Sequence, residues 1–265
     1  MGRFVVGILA LVLLIGLWAS AATTTTSPTT RPALPPMPIP SEPADKPAPR
    51  MGRDGKVSDY FMKMHIMFLE QGKLGGVNLL FMGDVLTDNW RKPAPTGGKE
   101  IWDKLYAPQG AANFGVGADK TQNVLWRIDH GELDGLTPKV VVLLAGANNM
   151  AYPADDILLG EMAIIQDIHQ KLPNSKLLIL GIFPRGLDPD NPIVADMRDK
   201  ITKVNKGLAQ LDDGQFTRFL DIGSKFVDDK GNIQTSLMPD GFHLDSDGYQ
   251  TWSDSMSDTL NDMMK

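Results

Sequence analysis

Apolar residues recur in five short runs along the chain after residue 76, and the segments between these runs have helical spacing. The runs cover residues 77–82, 112–114, 140–145, 177–182 and 216–220. Stretches such as VVVLLA and KLLILGIF are apolar at consecutive positions, which is typical of strands covered on both faces. We therefore predict five buried strands.

The intervening segments have apolar residues at helical spacing. The predicted apolar faces comprise Ile157, Met162, Ile165, Ile168 and Leu172 in DDILLGEMAIIQDIHQKL, and Ile201, Val204, Leu208 and Leu211 in MRDKITKVNKGLAQL. A last helix is predicted over residues 246–264. Because strands that alternate with helices are joined by right-handed crossovers, we expect a three-layer α/β/α sandwich around a five-stranded parallel sheet. Ligands of such folds bind at the carboxyl ends of the strands.

The first 50 residues differ in composition from the rest of the chain. Residues 1–21 combine a basic start, an apolar stretch and small residues, which predicts a secretory signal cleaved after Ala21. An uncleaved membrane anchor is the alternative. Residues 22–50 are rich in Thr, Ser, Pro and Ala and predict a linker, followed by one domain over residues 51–265. We expect an exported protein, periplasmic or extracellular, that is tethered to the membrane if the signal is retained.

Charge and cysteine content exclude several classes of function. The net charge is −6, and Lys and Arg do not cluster, so we expect no nucleic-acid partner. The chain contains no cysteine, which excludes a disulfide framework and a cysteine-based zinc site.

Glycine and small polar residues follow three of the predicted strands. They form Gly83-Asp84-Val85, the stretch GVGAD at residues 115–119, and GANN at residues 146–149. The fourth strand ends in Pro184-Arg185-Gly186, and Asp240 lies three residues before His243 near the carboxyl terminus. We interpret Asp84 as a turn-forming residue and Arg127 as a surface or helix-end residue.

Five motifs in order resemble those of the SGNH (GDSL-type) hydrolases. They are FMGDVLTDNW, NFGVGADKTQNVLWRI, KVVVLLAGANNM, GIFPRG and DGFHLDSDGY, which extend over nearly the whole domain. The resemblance is greatest to the catalytic subunits of the intracellular platelet-activating-factor acetylhydrolases and their bacterial relatives. It implies the flavodoxin-like SGNH fold and hydrolysis of ester bonds without a metal or cofactor.

The resemblance also assigns roles to individual residues. In that family a serine of the first motif attacks an ester carbonyl, and backbone N–H groups and an asparagine bind the developing oxyanion. Carried over to this chain, His243 is the base, Asp240 orients it, and Asn148 is an oxyanion donor. Val85 stands at the position of the nucleophilic serine, and Ala118 stands at the position of the second-motif glycine. Alanine keeps its N–H, but it is strained if the turn requires a positive φ.

These departures leave several functions open. The first hypothesis is a catalytically impaired protein that binds an acylated small molecule or an acetylated glycan. A second is an active ester hydrolase in which His243 activates water or a displaced serine attacks. Two others are a chain in which Val85 replaces a natural serine, and a scaffold for a protein partner. Asp240 and His243 alone supply too few ligands for a metal site.

Overall fold

The computed structural model describes residues 1–2 and 42–265. The predicted signal segment, apart from its first two residues, and the linker up to residue 41 lie outside the described residues. A five-stranded sheet with strand order β2-β1-β3-β4-β5 forms the centre of the domain, and every strand pair is parallel. Its strands are β1 (Leu79–Gly83), β2 (Ala111–Gly115), β3 (Val140–Leu144), β4 (Lys176–Leu180) and β5 (Thr217–Leu220).

Seven α-helical segments accompany the sheet in the described residues. They are α1 (Asp59–Leu74), α2 (Val85–Asp88), α3 (Lys99–Ile101), α4 (Thr121–Asp129), α5 (Ala154–Lys171), α6 (Pro192–Leu208) and α7 (Ser246–Met264). Helix α7 begins where Asp245 accepts a hydrogen bond from the Gly248 N–H, which satisfies one of its first free donors. Between residues 42 and 265, no helix is both long and apolar enough to cross a membrane.

Two apolar cores pack against opposite faces of the sheet. Leu80 and Met82 face a core completed by helices α1, α4, α5 and α6. Leu79 and Phe81 face the other core, which contains α7 and a cluster of aromatic rings around Trp90. Because both faces are covered, the strands are apolar at consecutive positions. The three-layer α/β/α prediction is therefore confirmed.

The placement of one residue on a predicted helical face is wrong. The side of α5 that packs on the sheet contains Ile157, Glu161 and Ile165, which follow one another at intervals of four residues. Met162, which the apolar spacing predicts on this side, is 42% exposed, whereas Glu161 is 1% exposed. The buried side of α5 therefore carries a carboxylic acid at position 161, and the methionine next to it in sequence is exposed.

The last residues of the predicted linker lie against the domain. Residues 42–50, which we term the strap, contact α4 and the loop after β3. The Ala48 N–H donates to the Gln122 carbonyl oxygen at 3.0 Å, and the Thr121 hydroxyl donates to the Ala44 carbonyl oxygen at 2.7 Å. Ala44 and Ala48 of the predicted linker are therefore hydrogen-bonded to the domain. The contacts of the strap are largely made by the main chain, so the Pro- and Ala-rich composition did not reveal them.

Candidate functional site

The turn after β1 is fixed by Gly83 and Asp84. A Cβ at Gly83 would overlap the carbonyl oxygen of Leu144 on β3, so only glycine fits there. Asp84 is buried, and its Oδ1 accepts a hydrogen bond from the Leu86 N–H at 3.1 Å, which caps α2. This contact agrees with the turn-forming role expected for Asp84. It makes Val85, a residue with no polar side-chain atom, the first residue of α2.

The turn after β2 holds Ala118 in a left-handed conformation. Its φ is +65°, the only positive φ of a non-glycine residue in the part of the chain that the structure describes. Left-handed alanine costs roughly 1–2 kcal/mol, so neighbouring contacts must hold it in place. The Gly117 N–H donates to Asp88 Oδ2 at 2.9 Å, and the Asp119 carbonyl oxygen accepts from Asn148 at 2.8 Å.

A buried ion cluster anchors the same turn, and it corrects the interpretation of Arg127 as a surface or helix-end residue. Arg127 is fully buried; its Nε lies 2.8 Å from Asp119 Oδ2 and its Nη1 lies 2.5 Å from Glu132 Oε2. His65 contacts the other oxygen of Glu132 at 2.9 Å. Burial raises the pKa of Asp119, and the charges of Arg127 and Arg50 oppose this shift. Two acids close to an arginine in sequence carry no signal that distinguishes a buried cluster from a solvated surface.

Asn148 connects the first two turns. Its Nδ2 donates to the Asp119 carbonyl oxygen at 2.8 Å and, more weakly, to Asp84 Oδ2 at 3.4 Å. The turn that carries Val85 and the turn that carries Ala118 therefore meet at the Asn148 side chain. No protein group among residues 42–265 accepts a hydrogen bond from the Ala118 N–H.

Asp240 and His243 form a hydrogen-bonded pair on the loop before α7. His243 Nδ1 lies 2.7 Å from Asp240 Oδ2, and Asp240 Oδ1 accepts from the main-chain N–H groups of Phe242 and His243. Partial burial raises the pKa of Asp240, but the hydrogen bonds from His243 and Phe242 outweigh it and hold this pKa below the usual value. Asp240 thus stays ionised and orients the imidazole. A cavity of about 470 Å³, lined in part by Asn89 and Lys92, lies beside the pair.

Arg185 connects this loop to the Asn148 loop, a role that sequence reasoning missed. Its Nη1 donates to the Ala147 carbonyl oxygen, and its guanidinium carbon lies 3.9 Å from the centre of the Phe242 ring. Burial lowers the pKa of Arg185, whereas the negative charges of Asp84 and Asp240 raise it. The position of Arg185 in the loop after β4 was the available signal, since the loops at the strand ends form the site.

Two buried acids lie beneath the site. Burial raises the pKa of Asp84 to about 7, with hydrogen bonding from Leu86 and the charge of Arg185 opposing the shift. Burial and the charge of Asp84 raise the pKa of Glu161 to about 8. A Cβ at Gly146 would lie 2.6 Å from Glu161 Oε1, so this acid is beneath the end of β3. Its Oε1 is buried and has no hydrogen-bond partner within the described chain.

The structure thus brings the Val85, Ala118 and Asn148 positions into one hydrogen-bonded group at the carboxyl edge of the sheet. The Asp240–His243 pair is on a separate loop, which Arg185 connects to this group through Phe242 and Ala147. No group of three or more potential metal ligands occurs among the residues that the structure describes.

A parallel three-layer sandwich with these strand-end turns and an Asp–His pair before the last helix defines an SGNH-type hydrolase fold. The chain belongs to the GDSL-like Lipase/Acylhydrolase family, whose model matches residues 81–251. It is 36% identical over 208 residues to the platelet-activating factor acetylhydrolase IB subunit alpha1 of Bos taurus, covering 78% of this chain and 84% of that protein.

Solved structures share the same fold. A GDSL-like lipase from Bacteroides thetaiotaomicron superposes with a TM-score of 0.62 at 16% identity, over 75% of this chain and 97% of that chain. The acetyl xylan esterase AlAXEase superposes with a TM-score of 0.53 at 19% identity, over 69% of this chain and 98% of that chain. These similarities confirm the flavodoxin-like SGNH fold that the motifs implied.

Proposed function

We propose that this chain binds acylated small molecules or acetylated glycans at an esterase-type site that turns them over poorly. The observation that carries the proposal is Val85 at the first position of α2, directly after the Asp84 cap. In the SGNH (GDSL-type) hydrolases that the motifs resemble, this position holds the serine that attacks the ester. Valine has no atom that can form the acyl–enzyme bond or exchange a proton with His243.

The rest of the site suits recognition of an acyl carbonyl. The Ala118 N–H has no protein acceptor in the described chain, and the Asn148 amide is adjacent to the same turn. Donors of this kind bind a carbonyl oxygen in the ground state and stabilise it further when it becomes an oxyanion. A serine hydrolase that lacks its nucleophile retains roughly 10³–10⁴-fold acceleration over water, far below that of a complete triad.

The names of two relatives support an acetyl group as the part of the ligand that this site recognises. One is an acetylhydrolase and one is an acetyl xylan esterase. The cavity of about 470 Å³ beside His243 has the size of a small-ligand pocket and contains the polar side chains of Asn89 and Lys92. The predicted signal segment supports an exported location, where acetylated glycans are available as ligands.

A second candidate function is a working ester hydrolase in which His243 activates water. The observation that favours it is the 2.7 Å contact between His243 and Asp240, which is the arrangement that a general base needs. In this case turnover by the native chain depends on His243.

The proposal is tested by measuring binding and turnover separately on the native chain. We expect acetylated xylooligosaccharides to bind more tightly in calorimetry than the same compounds after deacetylation. We also expect hydrolysis of p-nitrophenyl acetate to be equal, within about twofold, for the native chain and His243→Ala, because the impaired site does not turn over through His243. Equal binding of both ligand forms would contradict acetyl recognition, and turnover that His243→Ala abolishes would establish the second candidate instead.

A further inference from the structure

Arg50, the last residue of the strap, contacts the strained turn at Ala118. Its Nη1 donates to the carbonyl oxygen of Gly117 and lies 3.6 Å from Asp119 Oδ1. Arg50 therefore contacts the residues on both sides of Ala118. Asp119 Oδ1 is buried and has no hydrogen-bond partner among the described residues, so the nearby guanidinium charge compensates it in part.

Arg50 is itself held in a defined position. Its side chain is only 17% exposed. The guanidinium carbon lies 5.4 Å from the centre of the Tyr60 ring and 5.7 Å from that of Phe61, and Nη2 donates to the Ser58 hydroxyl at 3.4 Å. The strap that carries Arg50 is fixed to α4, because the Asn123 amide donates to the Ala48 carbonyl oxygen at 2.9 Å.

The geometry of the peptide group makes the contact to Gly117 significant. The Gly117 carbonyl and the Ala118 N–H belong to one planar peptide group, in which they point in opposite directions. A donor that fixes the direction of the carbonyl therefore also fixes the direction of the N–H. Ala118 has φ = +65°, a conformation that alanine keeps only where its surroundings enforce it.

We propose that Arg50 is a positioning residue that orients the Ala118 N–H toward the candidate oxyanion hole, so that the strap completes the site. The catalytic meaning of this orientation rests on the proposed function, which assigns Ala118 as an oxyanion donor. The mechanical coupling between the strap and the turn does not depend on that function. The last residues of the predicted linker are thereby part of the machinery of the site.

The coupling is tested first on the full native chain by amide hydrogen exchange. The Asp119 N–H donates to the Val116 carbonyl oxygen at 3.2 Å and reports on closure of the turn. Arg50→Met is expected to accelerate its exchange by about tenfold or more, because opening of the turn becomes easier. Arg53→Met is the matched control: Arg53 lies three residues after Arg50, is exposed, makes no hydrogen bond or ion pair with described residues, and should leave the exchange rate unchanged. Unchanged exchange in Arg50→Met would overturn the coupling.

The positioning role is tested in the Val85→Ser background with p-nitrophenyl acetate. Arg50→Met should lower kcat by about tenfold and change KM by less than about twofold, because an oxyanion donor acts mainly in the transition state. Arg50→Lys should recover part of the loss, and Arg53→Met should match Val85→Ser alone. A loss confined to KM, or an equal loss in Arg53→Met, would overturn the positioning role. A folded but inactive Val85→Ser protein would contradict the esterase-type site of the proposed function, and the exchange measurement would still decide the coupling.

Discussion

At the scale of single residues, the turn that carries Val85 is held by hydrogen bonds of the neighbouring residues. Asp84 caps α2, and Asn148 connects Asp84 to the turn at Ala118. None of these hydrogen bonds involves the Val85 side chain. A Cβ added to Gly117 would lie 4.0 Å from Val85 Cγ2, so the valine side chain points toward the second turn. A methyl group therefore occupies space beside the candidate oxyanion hole.

Glu161 allows a prediction at this scale, since its pKa is raised to about 8 by burial and by Asp84. The unfolded chain loses this proton near the ordinary pKa of about 4.5, whereas the folded chain keeps it up to about pH 8. Glu161 is therefore neutral for stability at low pH, and it destabilises the fold increasingly as the pH rises from about 4.5 to 8. Glu161→Gln removes this penalty and should stabilise the protein by about 3 kcal/mol at pH 7.

The measurement is urea unfolding of both proteins from about pH 4 to pH 9. The stability difference should be near zero at the acidic end and should grow with pH. Glu70→Gln is the control, because Glu70 is exposed and forms no hydrogen bond or ion pair with described residues, so the change should alter the free energy of unfolding by less than about 0.5 kcal/mol. A difference for Glu161→Gln that is constant across this range would show that the buried acid does not titrate as described.

At the scale of elements, α4 holds the second turn through its buried arginine. Arg127 lies on the inner side of α4 and pairs with Asp119 after the turn and with Glu132 after the helix. Removing one partner of a buried ion pair leaves the others charged and desolvated. Arg127→Met should therefore lower the free energy of unfolding by about 3–5 kcal/mol, as measured by urea denaturation. Arg218→Met is the matched change in a partly exposed pair with Asp212 and should cost less than about 1 kcal/mol. Equal losses in the two variants would contradict the role of the cluster.

Sequence reasoning succeeded for the elements whose signal lies in apolar side chains. The strand VVVLL and the final helix are apolar at the spacing that burial requires, so both were predictable. It failed where contacts depend on the main chain or on charge. The strap is held largely by carbonyl and N–H groups, which every sequence possesses. Glu161 was recoverable, because it lies four residues from both Ile157 and Ile165 on the buried face of α5.

The candidate site shows the same division. The contact between Asp240 and His243 and the position of Asn148 after a strand were predictable from motif order. The contacts of Arg185 and Arg50 were not, because each arginine meets its partners through folding of distant segments. From the sequence, Ala118 is strained only if its turn requires a positive φ. The structure shows that the turn does, with φ = +65°.

At the scale of the whole molecule, the order β2-β1-β3 places the turns after these three strands side by side at one edge of the sheet. The first strand supplies Val85, the second supplies Ala118 and the third supplies Asn148. The loop before α7 adds the Asp240–His243 pair, and Arg185 after β4 connects this loop to the third turn. Under the proposed function, this SGNH frame lacks the serine oxygen that would attack the ester.

The most direct test of this account restores that atom. Hydrolysis of p-nitrophenyl acetate is compared for the native chain, Val85→Ser, and Val85→Ser combined with His243→Ala. We expect the native chain to stay at background, Val85→Ser to gain about 10²-fold or more, and His243→Ala to remove that gain, because a serine is a weak nucleophile without its base. A Val85→Ser protein that folds like the native chain and gains no His243-dependent activity would contradict the claim that only the nucleophile is missing.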